Sequence, residues 1–188
     1  MNQNHLSSPD WSKIPVPNGD EDLSHLLQYK IKPIVLKSTN NQLINLSEIK
    51  GLSVIYIYPM TGQPNKPLPN DWDNIPGARG CTPQSCSFRD NFSNLKKLNI
   101  DNFFGLSTQT TEYQKEMVER LHLPFSVLSD EKLEFAKQLN LPVFEVENMK
   151  LIKRITLILN DNMIIKYFYP IFPPDKNVEE VIKFLTNR

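Results

Sequence analysis

Several kinds of residue that mark familiar protein classes are scarce in this sequence. Its 188 residues include only 2 cysteines and 3 histidines, too few for a disulfide-stapled secreted domain or a structural zinc site. Apolar runs are short, and none approaches the roughly 20 residues that span a bilayer. The 21 basic side chains are balanced by 21 acidic ones, which removes the usual electrostatic case for binding nucleic acid or a membrane surface.

What remains is the composition of a globular protein. Hydrophobic residues make up 39% of the chain and charged residues 22%, so we expect a folded core. The opening stretch MNQNHLSSPDWSK has no basic segment followed by an apolar one, and we therefore expect no secretory signal and a cytoplasmic location. Neither a glycine-rich phosphate loop nor a dinucleotide fingerprint is present, and we predict no cofactor and no metal.

The first part of the chain divides into an arm and the start of a domain. Residues 1–27 are polar with few apolar side chains, and we interpret them as an N-terminal arm. A plain tail and an arm packed on the core are equal alternatives. Residues 28–188 form one domain, which opens with a predicted hairpin because the near-alternating segments 31–36 and 43–46 flank a turn-forming sequence.

Strand and helix patterns alternate through the middle of this domain. The apolar stretch 52–58, rich in β-branched and aromatic residues, predicts a central strand buried on both faces, and one helical turn is expected at 46–51. Further strands are predicted at 102–107, 125–128, 154–159 and 163–169, and helices at 82–98, 110–123, 131–139 and 175–186, the last capped by Asp175. This order predicts an α/β sandwich with a mixed central sheet flanked by helices.

A proline-rich segment separates the central strand from the next helix. Residues 59–83 contain 6 of the 15 prolines and 3 of the 6 glycines, a composition that argues against helix and regular strand. A connection of this length inside a compact domain is usually functional or disordered.

Both cysteines lie where this segment meets the helix, for which Thr82 and Pro83 are the expected N-cap and first residue. The positive end of a helix dipole and nearby Arg79 favour the thiolate of Cys81, which is the nucleophilic form. A cysteine that merely packs is the alternative. Helical Cα atoms five residues apart are about 8–9 Å from each other, beyond the roughly 7 Å that a disulfide permits. Cys86 is thus either a packing residue or a partner that requires the first turn to unwind.

These residues carry a family resemblance. The segment VIYIYP followed by GCTPQSCSFRDNF resembles the active-site region of the peroxiredoxins, in the superfamily of alkyl hydroperoxide reductase and thiol-specific antioxidant. More narrowly, it is similar to the bacterioferritin comigratory protein type, in which two cysteines are separated by four residues. FFGLST, FSVLSDE, KRITLIL and the closing helix extend the likeness over roughly residues 29–186. The resemblance implies a thioredoxin-like fold and a thiol peroxidase that reduces hydrogen peroxide or organic hydroperoxides.

The resemblance also implies roles for individual residues. Cys81 matches the peroxidatic cysteine and Cys86 the resolving cysteine, which would form an intramolecular disulfide. Arg154 matches the arginine that projects from a neighbouring strand toward the thiolate, with a surface arginine as the alternative. A thioredoxin- or glutaredoxin-type protein would restore the thiols, and the chain would be a monomer or weak homodimer.

One departure from the family pattern concerns the loop before Cys81. The family's proline seven residues and threonine three residues before this cysteine are replaced by Asn74 and Ala78, so residues 59–80 look like a proline-rich active-site insertion. Thr61 is the nearest hydroxyl on the strand side and the candidate for binding peroxide. If no hydroxyl reaches the site, the enzyme would be slower than its relatives, or the loop would suit another oxidant or a bulkier hydroperoxide.

Two other functions compete with the peroxidase. A thioredoxin-fold protein without peroxidase activity could act as a redox-responsive binding or regulatory module, with the insertion as its partner surface. A protein–disulfide exchanger usually has CxxC rather than CxxxxC, and that spacing argues against it.

Overall fold

The computed structural model describes residues 9–188, which contain nine β-strands, five α-helices and several short 3-10 turns. The strands are β1 (Val35–Ser38), β2 (Leu43–Asn45), β3 (Leu52–Ile57), β4 (Asn102–Ser107), β5 (Ser126–Ser129), β6 (Val143–Val146), β7 (Met149–Ile152), β8 (Ile155–Asn160) and β9 (Met163–Phe168). The helices are α1 (Cys81–Asp90), α2 (Phe92–Lys97), α3 (Thr111–Leu121), α4 (Glu134–Gln138) and α5 (Asn177–Thr186).

Seven of these strands form one mixed sheet in the order β2-β1-β5-β4-β3-β8-β9. Strand β3 pairs in parallel with β4 and antiparallel with β8, and β1 and β2 form the predicted hairpin. Side chains of β3 alternate between two cores. Val54 and Tyr56 pack with α1 on one face, whereas Ile55 and Ile57 join the opposite cluster. The central strand is therefore buried on both faces, as the sequence predicts.

Several helix ends differ from the sequence expectation. The helix expected over 82–98 is interrupted at Asn91, whose side-chain amide donates to the Ser87 carbonyl. Its first residue is Cys81 rather than Pro83, because Gly80 takes the cap position with φ at 107°, which glycine adopts readily. Residues 46–51 form turns and bends instead of a helix. Asp175 does not cap α5, since a 3-10 turn, Pro174–Lys176, precedes that helix.

Strands β6 and β7 form a separate hairpin that the sequence pattern did not reveal. Its turn residues Glu147 and Asn148 both have positive φ, 46° and 65°, as a type I′ turn requires, but without the glycine that usually marks such a turn. The hairpin packs against the insertion 59–80. Together they build a third cluster with Met60, Trp72, Ala78 and Leu151 buried and Ile75, Phe144, Val146 and Met149 around them.

The insertion therefore folds as part of the core. Apart from one short 3-10 turn, Trp72–Asn74, it has neither helix nor strand, in agreement with its proline content. Trp72 is only 3% exposed, and its ring lies 6.3 Å from that of Phe144 between centroids. An aromatic side chain buried to this extent ties the loop to the hairpin.

The described part of the N-terminal arm is packed on the domain. Leu23 and Leu26 are buried in the same cluster as β1 and β8, and Glu21 forms an ion pair with Lys153. Residues 1–8 of the predicted arm lie outside the described residues. Between residues 9 and 188, every helix is too short or too polar to cross a bilayer.

We predict that Trp72→Ala lowers the free energy of unfolding by about 3 kcal/mol, because truncating a buried aromatic residue leaves a cavity. Urea denaturation measures this change. Leu43→Ala is the control, since Leu43 is 71% exposed on β2 and its truncation should cost no more than about 0.5 kcal/mol. Equal, small effects of both substitutions would contradict the conclusion that the insertion belongs to the core.

Candidate active site

Cys81 is the first residue of α1 and follows the end of the insertion. Its side chain is buried, with Sγ 3.5 Å from the carbonyl oxygen of Ala78. Strand β3 ends at Ile57, and the chain then runs through the insertion to the helix that begins at Cys81. This location gives the sulfur the unpaired N–H groups of a helix start, which favour an anion.

Arg154 lies beside this sulfur. Its side chain is 3% exposed, and Nη2 lies 3.2 Å from Cys81 Sγ. The same nitrogen is also 3.2 Å from the carbonyl oxygens of Gly77, Ala78 and Arg79. Arg154 immediately precedes β8 rather than lying within it, and its burial rules out the alternative of a surface arginine. One guanidinium thus holds the loop before Cys81 and presents a positive charge to its sulfur.

A buried polar chain supports Arg154 from behind. Nη1 donates to Gln84 Oε1 at 2.5 Å, and Gln84 Nε2 donates to Asn177 Oδ1 at 3.1 Å. Thr156 Oγ1 donates to the same Asn177 oxygen at 2.6 Å. None of these three residues was predicted from the sequence. Gln84 could have been found because it lies three positions after Cys81 on one helix face, whereas Thr156 and Asn177 come from distant parts of the chain.

The first turn of α1 is also bonded to the central strand. Tyr56 Oη donates to Ser85 Oγ at 3.1 Å, and Ser85 Oγ donates to the carbonyl oxygen of Cys81 at 2.9 Å. Complete burial raises the pKa of Tyr56, which keeps its hydroxyl protonated as a donor. These bonds hold the first turn of the helix against β3.

A cavity of about 150 Å³ opens next to Cys81, and Thr61 lies on its wall. The hydroxyl of Thr61 donates to Gln109 Oε1 at 3.3 Å, so its oxygen lone pairs remain able to accept a hydrogen bond from a ligand. Although 19 residues separate Thr61 from Cys81, the insertion leaves the site and returns to it. The remaining wall combines apolar side chains with cationic ones, including Met60, Leu68, Trp72, Lys66, Arg79 and Arg120.

Cys86 lies on the same helix, five positions after Cys81, and both thiols are free. Its side chain is buried in the cluster that contains Tyr56 and Phe88. This burial raises the pKa of the Cys86 thiol, against the opposing influence of Arg89. Because α1 is wound throughout, helix geometry keeps the two sulfurs from bonding until its first turn opens.

The site offers sulfur chemistry supported by a fixed positive charge. Among residues 9–188 there is no cluster of three or more His, Cys, Asp or Glu side chains that could hold a metal ion. A buried thiol at a helix start, an arginine donor and a hydroxyl on a shared cavity can activate a nucleophile and orient a small polar oxidant.

Comparison with known proteins agrees with this chemistry. The redoxin family model matches residues 16–182. Peroxiredoxin Q, chloroplastic, from Sedum lineare is 31% identical over 155 residues, covering 81% of this chain and 74% of the relative. Peroxiredoxin Q, chloroplastic, from Oryza sativa subsp. japonica is 30% identical over 152 residues, covering 80% of this chain and 62% of the relative.

Solved structures share the fold. Peroxidoxin BcpB from Mycobacterium tuberculosis superposes with a TM-score of 0.69 at 19% identity, covering 86% of this chain and 96% of that one. A mutant of PrxQ from Xylella fastidiosa gives a TM-score of 0.68 at 15% identity, covering 86% and 95% of the two chains. The predicted thioredoxin-like α/β fold is thereby confirmed. Since the family match spans nearly all of the described residues, this chain belongs to the redoxin family and is a peroxiredoxin, a thiol-dependent peroxidase.

Proposed function

We propose that Cys81 is the peroxidatic cysteine of this peroxiredoxin, that Cys86 resolves it, and that a thioredoxin- or glutaredoxin-type protein reduces the product. The observation that carries this proposal is the 3.2 Å contact between Arg154 Nη2 and Cys81 Sγ beside a cavity that Thr61 also lines. A fixed charged donor so close to a buried sulfur can orient a peroxide against it and stabilise the charge that develops as the sulfur reacts.

In the first step the thiolate of Cys81 attacks one peroxide oxygen. A sulfur–oxygen bond forms, the O–O bond breaks, and the other oxygen leaves with a proton as water or an alcohol. Arg154 stabilises the negative charge that moves from sulfur to the leaving oxygen, because its guanidinium is fixed in place by three loop carbonyls. In this proposal the Thr61 hydroxyl binds the peroxide, which is supported by its position on the wall of the same cavity.

In the second step Cys86 attacks the sulfur of the Cys81 sulfenic acid. A disulfide forms and the sulfur–oxygen bond breaks. The oxygen leaves as water, which keeps the sulfenic proton and takes the proton of the Cys86 thiol. The first turn of α1 must unwind for this step, which breaks the bond from Ser85 to the Cys81 carbonyl and the bond from Arg154 to Gln84. The folded site is therefore arranged for the first step, and its opening allows the second.

In the third step an external dithiol returns both cysteines to thiols by supplying two electrons and two protons. The wound helix buries both sulfurs. Unwinding of its first turn would expose the disulfide, so that such a protein could reach it. A monomer or weak homodimer would expose this turn equally well. A cytoplasmic location stays a prediction from the sequence.

The regulatory-module alternative depended on an insertion that dismantles the peroxide site. Thr61 and Cys81 nevertheless line one cavity, and Arg154 contacts the sulfur, which favours catalysis over binding alone.

We predict that Cys81→Ser abolishes peroxidase turnover, because it removes the nucleophile. Cys86→Ser should consume one equivalent of peroxide and then stop as a sulfenic acid unless an added thiol resolves it. Stopped-flow kinetics with one equivalent of hydrogen peroxide, followed by intact mass, measures both results.

The wild-type protein is the control for this pair and should lose two hydrogens as it forms an internal disulfide. Turnover that survives in Cys81→Ser would contradict the assignment of the nucleophile. Wild-type protein that stays a sulfenic acid while Cys86 remains a thiol would contradict the assignment of the resolving residue.

We predict that Arg154→Gln lowers the rate of the first step by about 100-fold, the usual loss when one preorganised charged donor is removed. Arg154→Lys should recover only part of this loss, because an ammonium cannot bind the loop carbonyls and the sulfur in the same fork. Single-turnover oxidation measures the rate, and circular dichroism checks the fold. A rate within about threefold of wild type in both variants would refute the proposed role.

We predict that the disulfide step accelerates as the pH rises. Burial raises the pKa of Cys86 in the wound helix, so the protonated thiol stabilises the wound form over the unwound one. This stabilisation is complete at pH values below the unfolded thiol pKa of about 8.5. This stabilisation is lost as the pH rises through the raised value, and the thiolate population grows at the same time. The second kinetic phase should quicken by up to about tenfold per pH unit near pH 8 and level off only once the pH exceeds the raised pKa of Cys86. A second phase that does not change between about pH 7 and pH 9 would contradict this expectation.

A further inference from the structure

The N-terminal arm crosses the loop that leads into Cys81. The indole Nε1 of Trp11 donates to Asp175 Oδ2 at 3.1 Å, and the ring meets Phe172 edge-on with 5.8 Å between centroids. On its other side the indole touches Gly80, where an added Cβ would lie only 2.7 Å from Trp11 Cη2 and 2.7 Å from Pro174 Cγ. Gly80 is thus held between the arm and the segment before α5.

Further contacts continue along the same loop. Pro17 covers Gly77, where an added Cβ would lie 3.5 Å from the proline ring. Beyond it, Gly19 packs on Pro170 and Glu21 forms an ion pair with Lys153. Pro9, at the other end, lies on the wall of the peroxide cavity. We call residues 9–21 the strap.

The strap lies where the second catalytic step requires movement. Unwinding the first turn of α1 displaces Cys81 together with Gly80, which has φ at 107° and immediately precedes the helix. Gly80 cannot move far while the Trp11 ring and Pro174 enclose it. Opening of the helix is therefore coupled to departure of the indole from Gly80.

We propose that Trp11 is a positioning residue that holds the first turn of α1 wound, so that the strap must release before Cys86 reaches Cys81. The inference rests on the proposed two-cysteine function. It assigns to the strap the balance between two fates of the Cys81 sulfenic acid. Attack by Cys86 forms the disulfide and releases water, whereas a second peroxide molecule adds an oxygen, forms sulfinic acid and releases its other oxygen as water or an alcohol.

The first test separates the two kinetic steps in Trp11→Ala. The second phase, disulfide formation, should accelerate by about tenfold, the factor expected when one hydrogen bond and one ring contact no longer oppose opening. The first phase should stay within about twofold, because Trp11 does not contact the sulfur or Arg154. The peroxide concentration that inactivates half of the enzyme during turnover should rise by about tenfold as well, because resolution then outpaces overoxidation.

Two further variants control for a merely structural effect. Trp11→Phe keeps an aromatic ring near Gly80 but loses the bond to Asp175, and its second phase should fall between wild type and Trp11→Ala. Val16→Ala changes an arm residue that is 59% exposed and should leave both phases unchanged. Thermal unfolding of each variant shows whether the kinetic effect follows global stability instead.

The second test follows the strap directly by fluorescence. The chain has two tryptophans, so Trp72→Phe leaves Trp11 as the single emitter while keeping a ring in the third cluster. One equivalent of hydrogen peroxide should shift Trp11 emission to longer wavelength at the rate of the second phase, as the half-buried indole becomes exposed. The same protein carrying Cys86→Ser should show no shift.

The outcomes distinguish this inference from the proposed function. If wild-type protein forms an internal disulfide but Trp11→Ala leaves the rate of the second phase unchanged or lowers it, the strap proposal is wrong and the two-cysteine function stands. An emission shift that survives in Cys86→Ser also overturns it, because opening would then not serve resolution. If wild-type protein forms no internal disulfide, the proposed function itself fails.

Discussion

A single buried guanidinium determines the geometry of this site. Removing an arginine from water is costly unless its donors are satisfied. The two terminal nitrogens of Arg154 are bonded to three consecutive loop carbonyls, Gln84 and the sulfur of Cys81, whereas its buried Nε has no hydrogen-bond partner. The loop from Gly77 to Gly80 curves around the cation because its carbonyls must converge on one nitrogen. Positive φ at both of those glycines makes the curve possible. The position of Cys81 follows from this arrangement.

The same constraint explains how the site accommodates a long insertion. Its two ends are fixed, one by β3 and the bonds of Thr61 to Gln109, the other by Arg154. The segment between these ends can vary in length and path as long as its apolar side chains are buried. They do so against the β6–β7 hairpin, where Trp72 is enclosed. Ala78 stands where the family has a threonine, but the loop passes around the site and leaves Thr61 on the wall of the cavity beside Cys81, as the sequence predicts.

Much of the fold could be read from local pattern, because β3, β4 and α3 bury regular stripes of apolar residues. Cys81, Cys86 and Arg154 also stand out, through helix-start chemistry and a family likeness. The β6–β7 hairpin was missed because its Glu147-Asn148 turn lacks glycine. The polar chain from Gln84 to Asn177 joins residues 93 positions apart, and no local pattern reports such a contact. The break at Asn91 depends on one side-chain amide that competes with the backbone.

Met60 and Trp72 each belong to two structures, since they line the cavity beside Cys81 and also form the third cluster with the hairpin. The shape of the cavity is consequently set in part by residues that never touch a substrate. A substitution at Leu151, on β7, would alter the cavity wall because Leu151 packs in the same cluster as Met60 and Trp72. The insertion and the hairpin therefore form one structural unit. Transplanting the insertion into a related scaffold without its hairpin would carry over the length of the loop but not the pocket.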